Sequence, residues 1–246
     1  MPKLKNRQKR VRQIEDKQEK PKVNLTVRSI TPITENQIRV FKEFYNDQHL
    51  FLHGYPGTGK SWVSIYLALE QILSGLATVD KLIIIRSAVQ TRQQGFLPGN
   101  HKEKMGEHEL AYEAIINDLC EKDDAYRLLK SKHIIEFTST SFLRSVTYND
   151  AIILFDECQN ATFHELDTVM TRVGKNTRLI LSGDIRQVDL DERREKSGIA
   201  DFMEIMKRMK WFSFVEFGVN DIVRSAVVKN YIKTKLALID QGVIHQ

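Results

Sequence analysis

Eight residues constrain this chain more than any others: Gly54-Tyr55-Pro56-Gly57-Thr58-Gly59-Lys60-Ser61. They satisfy the spacing G-x-x-x-x-G-K-[ST] and stand between an apolar run, Leu50–His53, and a helical pattern, Ser61–Leu73. In such a frame the glycines let the backbone curl until successive N–H groups converge on phosphate oxygens. The helix start adds the positive end of its dipole. Lys60 is expected to neutralise charge between β- and γ-phosphates, and the Ser61 hydroxyl to help hold Mg²⁺. The expected nucleotide-contacting stretch runs on to Trp62. The implied ligand is a nucleoside triphosphate, ATP with Mg²⁺.

The rest of the chain repeats the strand–helix rhythm. Short apolar runs at Leu50–His53, Leu82–Arg86, Ile134–Phe137, Ile152–Phe155, Leu179–Ser182 and Phe212–Phe217 read as strands. Most are continuous rather than alternating, as expected for a parallel sheet covered on both faces. Helical patterns fall at Ser61–Leu73, Glu109–Glu121, Phe163–Arg172, Ile199–Lys207 and Asp221–Asp240. Another helix is expected from Glu35, capped by Thr34, with Ile38, Phe41 and Phe44 inward and Val40 alongside. Before it, Val23–Ile30 alternates like a short strand or an extended arm. The fold class is α/β, a mostly parallel sheet with helices on both faces.

Two further motifs lie at the carboxyl ends of expected strands, where α/β sheets bind ligands. Ile152–Phe155 runs into Asp156-Glu157, and Leu179–Ser182 into Gly183-Asp184, followed by Arg186-Gln187. After a phosphate loop, the acid pair reads as metal and water chemistry: Asp156 toward Mg²⁺, Glu157 polarising the attacking water. Gln187 would then sense the γ-phosphate or that water.

Charge is unevenly placed. Residues 1–22 carry +6 of a net +5, so the remainder stands at −1. Such a tail reads either as a solvated, disordered arm or as a contact to a phosphate backbone. The expected organisation is this tail followed by one ATPase domain over 23–246. Cys120 and Cys158 lack metal-site spacing and read as free thiols of a reducing cytoplasm. The seven histidines show no zinc pattern, and no apolar run is long enough to span a membrane.

The ordered set of motifs resembles the PhoH family of phosphate-starvation-inducible ATPases, whose domain is similar to the motor core of superfamily-one helicases. The resemblance spans about residues 31–235. It rests on Ile33–Gln37, GYPGTGKS, IIIRSAV with GFLPG at 95–99, FDECQNAT, LSGDIRQVDL and Asp221-Ile222-Val223-Arg224. It implies a RecA-like P-loop fold and assigns roles by position. Gln37 resembles the glutamine that reads adenine, its amide matching one donor and one acceptor. Gln159 resembles the glutamine linking the nucleotide site to the nucleic-acid side, and Arg224 the transition-state arginine. Arg224 also reads as a surface residue. Ser87, Cys158, Arg186 and Asp191 depart from the usual family residues without removing a catalytic group. The small size is that of a phage-type member.

Helicase motors close their site between two domains, and this chain has room for one. Arg224 must then act within its own subunit or reach a neighbour's site; the resemblance points to a homo-oligomeric ring, a hexamer, with Arg224 expected in trans. The expected partner is single-stranded RNA or DNA. The loop Thr91–Gly106 would contribute Phe96 for stacking, with Lys102 and Lys104 for phosphates, although Phe96 also reads as a hydrophobic anchor. The expected activity is ATP hydrolysis driving movement on single strands. The alternatives are an ATP-dependent switch or, less in keeping with the acid and S-G-D motifs, a small-molecule kinase.

Overall fold

The computed structural model describes residues 23–75, 78–87, 101–143, 147–184 and 198–244, with backbone alone at 101–105 and 240. The basic tail, Phe96, Arg186, Gln187 and Asp191 lie outside the described residues, as do the side chains of Lys102 and Lys104.

Residues 23–33 form an extended arm rather than a strand. Leu25 is buried in it, and Arg28 donates its N–H to the Leu119 carbonyl at 2.9 Å. The elements then follow in order: α1 (Glu35–Tyr45), β1 (His49–Gly54), α2 (Lys60–Leu73), β2 (Lys81–Arg86), α3 (His101–Cys120), α4 (Ala125–Ser131), β3 (Ile135–Ser139), β4 (Ala151–Asp156), α5 (Phe163–Met170), β5 (Arg178–Gly183), α6 (Ile199–Met206), β6 (Phe212–Phe217) and α7 (Ala226–Asp240). The six strands make one sheet in the order β3-β2-β4-β5-β1-β6, every described pairing parallel. One strand, β5, separates the loop-bearing β1 from the acid-bearing β4. This is the RecA-like P-loop arrangement.

The sheet divides the core in two. In β1, β2, β4 and β5 the even-numbered residues Leu50, Leu52, Leu82, Ile84, Ile152, Leu154 and Ile180 pack with α1 to α4. The odd-numbered Phe51, Ile83, Ile85, Ile153, Phe155, Leu179 and Leu181 pack with α5 and α6. Side chains on a strand alternate between faces, so a strand covered on both sides must be apolar throughout. Each such side chain contributes about 1.5–3 kcal/mol through burial.

Several elements differ from their sequence patterns, and α4 (Ala125–Ser131) is not among the expected helices. In α1 the inner face is Gln37, Val40 and Phe44, spaced i, i+3, i+7, which leaves Ile38 on the outside, 54% exposed. α3 starts at His101, well before the expected Glu109, because its charged first turns show no apolar periodicity. α7 starts at Ala226, capped by the Ser225 side chain, with Val219–Asp221 a separate 3₁₀ turn. None of its described side chains is buried. Among the described residues, no helix is long and apolar enough to cross a membrane.

Candidate nucleotide site

β1 delivers the glycine-rich loop and α2 receives it. Gly54 has φ of +120°, and a Cβ there would lie 2.1 Å from the Phe217 carbonyl oxygen. The loop therefore starts pressed against β6, and the Tyr55 N–H donates to that same oxygen at 3.1 Å. Gly59, left-handed at φ 85°, caps α2 without a side-chain bond. The first N–H groups of a fourteen-residue helix are thus presented at the loop's end. The Thr58 hydroxyl donates to the Tyr55 carbonyl at 2.9 Å, while Pro56 is exposed.

Lys60 curls over the loop and donates to the carbonyls of Gly54 at 2.9 Å and Tyr55 at 2.7 Å. Burial lowers its pKa, an effect opposed by Asp184, Glu157 and Asp156 nearby. The Ser61 hydroxyl donates to Asp156 Oδ1 at 3.0 Å, bringing the two expected metal residues together across 95 residues of chain. This donor set, a hydroxyl and a carboxylate beside a lysine and free-ended helix N–H groups, fits a hard divalent cation bound with phosphates. Asp156 ends β4 in register with Ser182, so the S-G-D turn emerges beside it as expected.

Glu157 leaves the strand in a left-handed conformation, φ 52°. Burial, then the charge of Asp156, raises its carboxyl above the usual range, against the pull of Gln159, Arg86 and Lys60. Gln159 holds it in place: Nε2 donates to Glu157 Oε2 at 2.6 Å, and Oε1 accepts from the Asp184 N–H at 3.1 Å. A Cβ on Gly183 would lie 2.5 Å from that Oε1, so the glycine is what admits the glutamine. Gln159 therefore couples the acid pair to the end of β5.

Gln37 is 5% exposed beside the loop. It accepts from the Ile33 N–H at 2.9 Å and donates to the Thr58 carbonyl at 3.2 Å. In this arrangement it braces the loop. Trp62 points its ring at Arg28, 5.8 Å away, and stacks on Tyr66, tying α2 to the extended arm.

Arg224 lies before α7, not at its start, and against its own loop. The strap that carries it, residues 218–224, is pinned where the Val223 N–H donates to the Gly57 carbonyl at 3.0 Å. A Cβ on Gly57 would meet Arg224 Cγ at 2.9 Å. Asp221 anchors the strap further, accepting from Asn36 at 2.7 Å and from the Gly218 N–H at 2.8 Å. Within one chain, Arg224 thus packs against the chain's own loop.

A family model described as PhoH-like protein matches residues 29–235. The chain belongs to the PhoH family. Protein PhoH of Escherichia coli strain K12 is 32% identical over 205 residues, covering 81% of this chain and 57% of that protein. The PhoH-like protein of Bacillus subtilis strain 168 is 30% identical over 211 residues, covering 85% and 65%. This PhoH-family chain thus spans roughly three-fifths of the length of these relatives. Among solved structures, the large terminase of a thermophilic bacteriophage is similar at 11% identity and TM-score 0.47, over 82% of this chain and 50% of that one. The Hef helicase domain of Pyrococcus furiosus gives 12% and 0.45, over 76% and 39%. Family membership and the phosphate-binding loop together give the chain a P-loop NTPase fold.

Two departures from the PhoH pattern find structural uses. The Ser87 hydroxyl donates to Glu165 at 2.9 Å, joining the end of β2 to the capping box of α5. Cys158 is fully buried beside Gly183, and burial followed by the adjacent acids pushes its thiol up. Two residues near the acid pair were given no role from the sequence: Tyr112, inside a helical pattern, and Arg86, which ends a strand within the IIIRSAV motif.

Proposed function

We propose that the chain hydrolyses ATP with Mg²⁺ and couples the cycle to single-stranded RNA or DNA. The observation that carries this is the 3.0 Å bond from Ser61 to Asp156, with Lys60 and Glu157 close by. Ser61 and Asp156 would hold the metal, whose chemistry is to neutralise charge on the phosphates. Lys60 would exchange its loop carbonyls for phosphate oxygens. Glu157, oriented by Gln159, would take the proton of the attacking water. Gln37 would read adenine with its amide, and Arg224, already lying on the loop, would meet charge developing at the phosphates. Gln187 keeps its proposed role as sensor of the γ-phosphate.

Coupling to nucleic acid draws support from the Gln159 bridge and from the basic residues 1–22. The exposed apolar side chains of α7, Val227 and Tyr231 among them, are consistent with assembly into a ring of copies, a hexamer in this proposal, inside the cytoplasm. The test measures ATP hydrolysis with and without poly(U) or single-stranded DNA, at low and moderate salt. A coupled ATPase is stimulated, and Lys60→Ala removes the activity. Hydrolysis that ignores both polymers points instead to an ATP-dependent switch.

A further inference from the structure

Tyr112 lies within α3, 2% exposed, its ring centroid 5.5 Å from that of Phe137. Ile116 and Leu119 fill the same buried face, so a hydroxyl there must find partners inside the protein. It finds two. It donates to Asp156 Oδ2 at 2.9 Å and accepts from Arg86 Nη1 at 3.2 Å. Asp156 Oδ1 meanwhile takes the Ser61 hydroxyl. Each carboxylate oxygen is thus held by a different helix, α2 from the loop side and α3 from the other.

The choice of a phenol has a physical reason. An arginine paired directly with Asp156 would cancel the charge that attracts a cation. With Tyr112 interposed, the guanidinium stays one group away and still polarises the hydroxyl toward the carboxylate. Burial disfavours the charge on Arg86, yet Tyr112 and Asp156 more than offset it.

We infer that Tyr112, backed by Arg86, is a positioning residue that aims Asp156 at the divalent cation bound with the nucleotide. The inference rests on the ATPase reading above. Partners of this kind around metal ligands change affinity by about tenfold to a hundredfold.

The test follows binding of a fluorescent ATP analogue to the full chain, in EDTA and across a Mg²⁺ titration. Tyr112→Phe keeps the ring and removes the hydroxyl. The expected result is a half-saturating Mg²⁺ concentration about tenfold higher or more, with binding in EDTA unchanged. Arg86→Lys keeps the charge but not the planar donor fork. It is expected to shift the same midpoint about threefold, the scale of a weakened single hydrogen bond. An unchanged midpoint in both variants overturns the inference. So does an equal loss of binding in EDTA and in Mg²⁺, which would mark general damage to the site. Wild-type protein that binds no analogue in either condition overturns the ATPase reading itself.

Discussion

At the scale of single residues, the site is a set of donors already committed to specific acceptors. Glu157 is oriented through one amide, so its chemistry and its position can be tested separately. Glu157→Gln should retain ATP binding and lower the hydrolysis rate by about 10²–10⁴-fold, the range for losing a general base. Gly183→Ala tests position, because its methyl would displace the Gln159 amide oxygen and press on Cys158 Sγ at 3.1 Å. Single-turnover assays should show about a 10²-fold slower step with nucleotide affinity retained, the effect of misplacing a reacting group by about 1 Å. The loop and the acid pair were legible in the sequence because their spacing is itself the chemical requirement, and Gln159 through the family resemblance. Tyr112 was not, and Arg86 stood in a motif without a role of its own. A tyrosine on an apolar helix face looks like packing until its hydroxyl's partners are known, and those come from β4 and β2.

At the scale of elements, legibility followed hydrophobic periodicity. All six strands were readable to within about two residues, since burial on both faces leaves an unbroken apolar run. The edge strand β3 shifted most, with Glu136 exposed and its apolar signal thinned. α4 escaped notice because only Ala125, Tyr126 and Leu129 of its seven residues are buried. α1 was anchored by its cap, as Thr34 accepts from the Gln37 N–H at 3.2 Å. That bond caps the start of the helix at the residue that braces the phosphate loop. Thr34→Ala should lower stability by about 1 kcal/mol in urea unfolding. It should also weaken nucleotide binding more than a comparable cap deletion at Thr162 on α5, which the sheet separates from Gln37.

At the scale of the whole molecule, the strap from Gly218 to Arg224 bears on how many chains a site needs. Arg224 packs against Gly57 of its own chain, and acting there it would complete the site within one copy. Mixing Lys60→Ala chains with Arg224→Ala chains should then give no activity above that of the parents, even where mixed assemblies are shown by crosslinking. Recovered activity would mean that assembly swings Arg224 away from Gly57 and onto a neighbour. Sequence alone left this open, because the spacing of a motif says nothing about which copy of the loop it meets.

The alternation that divides the core also divides the acid pair. Asp156 is even-numbered, as are Ile152 and Leu154, and its partners Ser61 and Tyr112 come from the helices on that side. Glu157 follows it past the strand end, turned by its left-handed backbone toward Gln159. The two carboxylates are therefore not a pooled reserve of negative charge but two seats with different occupants. Transposing them, as Asp156→Glu with Glu157→Asp, preserves composition, net charge and apolar pattern alike. The transposed protein should fold with near-native melting behaviour and hydrolyse ATP no faster than Glu157→Gln. The order of two letters then carries information that no count of residues contains.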